Sequence, residues 1–147
     1  MSLFLLDTNF VSELQHNHRP TIEAVEANLL SGNAVGITAV TIEEQFDGWM
    51  AVLKAAKTNE RMEWASRSMM EAVLLWSKFA LSPMTANAQA TFQRLRRSKL
   101  NVGSQDLRIA AIALELDATV ATRNLRDFRR VPNLKFVDWS ATILPSL

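Results

Sequence analysis

The chain contains no cysteine, which excludes disulfides and thiolate-held metals, so any bound metal must rest on oxygen or on its two histidines, His16 and His18. A hard cation is the metal that such a ligand set favours. No uninterrupted apolar run approaches the ~20 residues that span a bilayer, and no basic stretch leading into a long apolar core opens the chain. A soluble, cytoplasmic protein without membrane contact is therefore expected. Neither a P-loop (GxxxxGKS or GxxxxGKT) nor a GxGxxG after a strand occurs, which removes the common nucleotide cradles. Repeats, linkers and low-complexity segments are missing too.

What is present suits one packed domain over residues 1–147, with 48% of the chain apolar. The net charge of +1 conceals an uneven distribution: residues 1–93 carry 6 Lys/Arg against 10 Asp/Glu, and residues 94–135 carry 10 against 4. An acidic portion set against a basic carboxyl-terminal third fits a metal centre that must also hold a polyanion. The plainer reading makes Arg94, Arg96, Arg97 and Lys99 a solvated helix face.

Leu3 to Leu6 is a short apolar run without alternation, as expected of a parallel strand covered on both faces. Further strands are expected at Val35 to Thr38, at Phe79 to Pro83 on a sheet edge because Pro83 has no amide to donate, at Ala118 to Thr122 and at Lys135 to Val137. Between them, helical spacing runs over Thr21 to Leu30, from Thr41 through Leu53, over Glu60 to Lys78, and into the basic cluster. Ser104 is the expected cap of a helix starting near Gln105, with Asp106 in its first turn. Asp117 ends that helix at a left-handed position. Strands alternating with helices predict a parallel α/β sandwich.

The informative residues are isolated carboxylates at element edges. Asp7 ends the first strand, Glu44 lies about a turn into a helix and Asp106 opens an almost wholly apolar one. In a parallel sheet, strand ends and helix starts meet on one side. Carboxylates gathered there repel by roughly 4 kcal/mol per pair at 4 Å and an effective dielectric near 20. Mg2+ or Mn2+ removes that cost and can activate a water for hydrolysis of a phosphodiester. Each acid also has a structural use. Asp7 can cap the helix beginning at Thr8, Thr41 and Glu44 have the spacing of a capping box, and Asp106 can simply face the helix dipole.

The ordered strings Asp7-Thr8-Asn9, Thr41 to Glu44, Asp106 with Ile109-Ala110-Ala111, Thr122-Arg123-Asn124 and Val131-Pro132 resemble the PIN-domain nucleases, most closely the VapC-type toxins of bacterial toxin–antitoxin pairs. The resemblance spans nearly the whole chain. It implies a three-layer sandwich around a mostly parallel sheet of 4–5 strands, with metal-dependent hydrolysis of RNA and no covalent enzyme intermediate. Asp7, Glu44 and Asp106 are the implied metal ligands, with Glu44 rather than Glu43 in the family's place. Thr8, Asn9 and Thr122 would orient a ligand or water, and Arg123 would touch phosphate. A small antitoxin lying in a groove and a homodimer are implied as well. RNA contact is expected from Arg94, Arg96, Arg97 and Arg126, with Arg129 and Arg130 as further basic positions.

Asn124 stands where many members carry a fourth acid, so one well-held ion and a weaker second are expected. Asp127, three residues on, either replaces that acid, directly or through water, or sits on the surface. Gln45 occupies a position that is usually apolar in the family. A PIN fold that binds RNA or a partner without cutting is the competing expectation, kept open by Asn124. An Asp-based phosphatase would want a second Asp at position 9, which is Asn. His16 and His18 read as a solvated loop. Met50, Met62, Trp64, Met69, Met70 and Trp76 read by default as core, although the resemblance would also make them part of a partner groove.

Overall fold

The first strand is the axis of the molecule. In the computed structural model, which describes residues 1–139, β1 (Leu3–Leu6) pairs in parallel with β2 (Ala34–Thr38) on one side and β4 (Thr119–Ala121) on the other. β3 (Ala80–Ser82) extends the sheet beyond β2, and β5 (Lys135–Val137) extends it beyond β4, giving the order β3-β2-β1-β4-β5 with every pair parallel. The edge position expected for β3 is borne out, with Pro83 following its last residue.

Strand residues alternate between faces, so neighbours in sequence enter different cores. Leu5 and Val120 pack into a cluster with Phe92, Ile109 and Phe128, beneath α5 (Ala86–Arg97), α6 (Ser104–Leu116) and the short α7 (Leu125–Phe128). Leu6 and Ala121 enter a second cluster with Phe10, Val11, Trp76 and Trp139, covered by α1 (Thr8–Gln15), α2 (Arg19–Leu30) and α4 (Asn59–Trp76). The remaining helix, α3 (Ala39–Ala55), sends Val40 to the first cluster and packs Trp49 against the second. Two apolar layers on a parallel sheet make the expected three-layer α/β sandwich.

Several local expectations are corrected. α3 begins at Ala39, two residues before the expected start at Thr41, because Thr38, not Thr41, caps it, its hydroxyl accepting the amide of Thr41 at 3.3 Å. Thr41 is buried within the helix, so it forms no capping box with Glu44. α6 starts at Ser104 with Gly103 as its unassisted cap, although Asp106 does lie in the first turn. α2 starts at Arg19, since Pro20 is tolerated in a first turn where its missing amide costs nothing. Asp117 takes the left-handed cap, φ 53° and ψ 38°, and is held by the Lys135 ammonium at 2.9 Å.

The default assignment of the Met and Trp residues to the core fails for four of them. Met50, Met62, Trp64 and Met70 are exposed on α3 and α4, while Trp76 is buried. Ala65, Ala72 and Trp76 supply the buried side of α4, which leaves the larger side chains facing out. Among the described residues no helix is long and apolar enough to cross a membrane.

Gly36 permits the close approach of β3. A Cβ there would lie 2.9 Å from the carbonyl oxygen of Ala80 and 3.2 Å from Leu5 Cδ2. Gly36→Ala is therefore expected to force β3 away from β2 and to lower unfolding free energy by about 1–3 kcal/mol. A urea midpoint equal to wild type would show that the edge strand yields freely.

Candidate active site

Asp7 lies where β1 gives way to α1, and two tethers hold it. Its Oδ1 accepts the amide of Phe10 at 3.1 Å, capping α1, and its Oδ2 accepts the Thr122 hydroxyl at 2.6 Å. The Thr122 hydroxyl in turn accepts the amide of Asn124 at 2.8 Å, which folds the segment after β4 back over Asp7. The capping role foreseen for Asp7 thus coexists with a central position. Burial pushes its carboxyl above the usual aspartate value, more than the Thr122, Phe10 and Asn9 hydrogen bonds pull it down.

Glu44 is brought in by a hydroxyl relay. Thr8 donates to Glu44 Oε1 at 2.8 Å, and its oxygen lies 3.2 Å from that of Thr41. Thr8 has one hydroxyl hydrogen and gives it to Glu44, so Thr41 donates to Thr8. The relay explains why Thr41 is buried within the helix and why Glu44 faces the end of β1.

Asp106 comes from the first turn of α6 and meets Asn124 and Asp127. The Asn124 side-chain nitrogen donates to Asp106 Oδ2 at 3.1 Å and to Asp127 Oδ2 at 2.9 Å. Carboxylates only accept, which fixes the amide orientation and leaves the Asn124 carbonyl oxygen free. Asp127 is therefore at the site and is not a bystander on the surface. Burial, then the charges of Asp7, Asp127 and Glu44 in that order, push the Asp106 carboxyl above its usual range. Three acids from separate elements thus act on Asp106. Neutral groups hold them: the Thr8 hydroxyl on Glu44, the Thr122 hydroxyl on Asp7, and the Asn124 amide between Asp106 and Asp127.

The donor set is all oxygen and electrostatically frustrated, which suits a hard divalent cation. Among the described residues, however, no three acidic or histidine side chains converge tightly enough to enclose an ion by themselves. Magnesium commonly keeps several waters and takes only one or two carboxylates, so the arrangement fits a partly hydrated ion.

Other expected residues are placed differently. Arg123 pairs with Glu13 of α1 and lies 4.9 Å above the Phe10 ring, so its guanidinium is already engaged. Burial alone would raise the Glu13 carboxyl, yet Arg123 and Thr21 together hold it below its usual value. Sequence reasoning missed Glu13, because nothing local marks a partner 110 residues away. His18 is no free loop residue either, its Nδ1 lying 2.9 Å from the Thr21 hydroxyl that donates to Glu13. Asn9 is exposed beside Asp7. Arg94, Arg96 and Arg97 occupy the exposed last turn of α5. The α5–α6 pair is antiparallel, with Thr91 donating to Glu115 at 2.6 Å and the Arg108 guanidinium 4.9 Å from the Phe92 ring. Residues 98–103 link this basic turn to the first turn of α6, where Asp106 lies. Arg126 and Arg129 are exposed on and just after α7, and Arg130 donates to the carbonyl of Asn101 at 2.7 Å.

Residues 4–134 match the PIN domain family. The chain belongs to the PIN domain family. Among its PIN relatives, Ribonuclease VapC2 of Rickettsia felis is 26% identical over 141 residues, covering 93% of this chain and 98% of that protein. Ribonuclease VapC1 of Haemophilus influenzae (strain R2866) is 25% identical over 144 residues, covering 94% and 98%. The PIN fold is shared with VapBC from Salmonella typhimurium, solved bound to DNA, at a TM-score of 0.75 and 24% identity over 95% of this chain and 99% of that one. VapBC2 from Rickettsia felis, bound to a promoter DNA fragment, gives a TM-score of 0.74 and 22% identity over 93% and 98%.

The electrostatics of this PIN site predict how it responds to pH and to substitution. Asp7 and Asp106 both have folded pKa values raised above 3.8. Between 3.8 and the raised values the native state binds more protons than the unfolded chain. Their contribution to stability is therefore fully present below pH 3.8 and is lost as pH rises through the folded values. At neutral pH in chelator, Asp106→Asn should melt a few degrees above wild type and Asn124→Asp below it, with magnesium narrowing both gaps. Thermal melts giving the opposite order would show that the acids do not repel one another appreciably.

Proposed function

We propose that the chain is a magnesium- or manganese-dependent endoribonuclease acting as the toxin of a type II toxin–antitoxin pair. The observation that carries this reading is the meeting of Asp7, Glu44, Asp106 and Asp127 at the carboxyl end of a parallel sheet in a PIN domain. Relatives named as ribonucleases and fold neighbours solved as VapBC complexes support it.

Asp7, Glu44 and Asp106 would hold the ion, directly or through its waters, with the free Asn124 carbonyl oxygen as a neutral ligand. When bound, the ion lowers the pKa of a water and neutralises charge on the scissile phosphate. Thr122 fixes the Asp7 carboxylate and Thr8 fixes that of Glu44, so both are oriented before substrate arrives. Asn124 keeps Asp106 and Asp127 apart without adding charge of its own. Hydrolysis proceeds by attack of water on phosphorus, with the 3′ or 5′ oxygen leaving and no residue forming a covalent bond to RNA. Arg94, Arg96, Arg97 and Arg126 offer phosphate contacts around the acids, whereas Arg123 serves through its pair with Glu13.

The partner is a small antitoxin. The exposed apolar side chains of α3 and α4, among them Met62 at 44%, Trp64 at 46% and Leu74 at 65% exposure, form the surface on which an amphipathic helix would lie. A homodimer completes the assembly by analogy with the family.

The test is incubation of antitoxin-free protein with total RNA in magnesium or manganese, with and without chelator, beside an Asp7→Asn plus Asp106→Asn variant. Cleavage should occur only for wild type with metal, and the variant should fall to the level of the chelated control. Intact RNA from folded wild-type protein would sink the nuclease reading and favour a PIN module that binds without cutting.

A further inference from the structure

Glu44 also borders a pocket of about 240 Å3 that opens between α1 and α3, with Ser12, His16, Gln45, Gly48 and Trp49 as its principal other walls. The Trp49 ring is held in place: its indole N–H donates to Gln15 Oε1 at 3.4 Å, and its centroid lies 5.6 Å from that of Trp64 at an interplanar angle of 62°. Gly48 is an exposed wall position at which a Cβ would meet nothing within 4 Å, so a larger side chain can be placed there without a clash at the Cβ.

The polar groups of this pocket are available to a ligand. His16 Nδ1 lies 2.7 Å from the Ser12 carbonyl oxygen. A carbonyl only accepts, so Nδ1 carries the proton and Nε2 of the neutral ring is an acceptor. The Gln45 amide and the Ser12 hydroxyl have no hydrogen-bond partner among the described residues. Gln45 is thus a half-buried amide for which neither the packing nor the hydrogen bonding of the fold gives a use. Glu44 gives Oε1 to Thr8 and keeps Oε2.

An apolar side chain seated here would cover the indole but strip water from these groups, at about 1–3 kcal/mol for each one left unpaired. A nucleobase offers both a flat face for the indole and an edge carrying donors and acceptors for the amide, hydroxyl and imidazole. Glu44 borders the place where the scissile phosphate would lie, so the base adjoining that phosphate is the group within reach. We propose that the pocket is a nucleobase subsite, in which a base flanking the cleaved bond packs against Trp49 and is read by Gln45, with Ser12 and His16 as further contacts. This subsite rests on the ribonuclease reading for its position on the substrate.

Labelled tetraribonucleotides of A, C, G and U, titrated by fluorescence anisotropy against an Asp106→Asn protein in magnesium, measure base discrimination without cleavage. One base should bind about threefold to tenfold more tightly than the others, the worth of one or two hydrogen bonds. Adding Gln45→Leu, which keeps the size and removes the amide, should flatten that difference. Gly48→Leu, which fills the pocket from a solvent-facing helix position, should flatten it too, and circular dichroism checks that both proteins fold. Equal affinities for all four oligomers, or discrimination that survives both substitutions, would overturn the proposal and leave the pocket to a polypeptide partner. The total-RNA assay on wild type is read separately. Discrimination without cleavage would spare the subsite and remove the nuclease, and cleavage without discrimination would do the reverse.

Discussion

Like charges that must be neighbours are the constraint around which this molecule is organised. A parallel sheet delivers its strand ends to one side, and there the charges of Asp7, Asp127 and Glu44 all act on the half-buried Asp106 carboxyl. Small neutral groups hold these acids in place: the Thr8 hydroxyl binds Glu44, the Thr122 hydroxyl binds Asp7 and the Asn124 amide bridges Asp106 and Asp127. The free energy lost in this crowding is offset by the two apolar layers on either face of the sheet. Such a division of labour is common where a site trades stability for readiness to bind.

Much of the frame was legible from residue order. β1 and β5 fall on the expected residues, β3 is the edge strand that Pro83 implied, and Asp117 takes the left-handed turn that its place after an apolar helix suggested. What local patterns did not resolve were choices between equivalent residues. Thr38 and Thr41 both have the chemistry of a cap, and only the approach of Thr8, 33 residues away, decides that Thr41 goes inside. Ser104 lost the cap to Gly103 because a helix can begin without side-chain help when its first turn carries an acid. Glu13 was invisible for the same reason of distance. Exposure of the Met and Trp residues was misjudged because helical spacing marks a face without saying whether small or large side chains of that helix meet the sheet.

The basic third of the chain is less uniform than its charge count suggests. Arg123 is neutralised by Glu13, Arg130 is turned toward the Asn101 carbonyl and Asp127, and Lys135 is spent on Asp117. The last turn of α5 and the exposed arginines of α7 and its cap are left to project their charge outward. The positive charge that faces outward is thus smaller than the sequence total.

The Thr122 to Asp7 hydrogen bond joins residues 115 positions apart and lies at the centre of the sheet, not at its rim. β1, among the first segments to be made, therefore waits with one flank unpaired until β4 has been synthesised and docked. Until then Asp7 lacks its donor, and Asn124 and Asp127 do not yet exist to flank Asp106. Such a chain cannot assemble its acidic centre while partly translated. The order of synthesis therefore sets the order of assembly, the acidic centre closing only after β4 and the Thr122 to Asp127 segment have emerged and docked on β1.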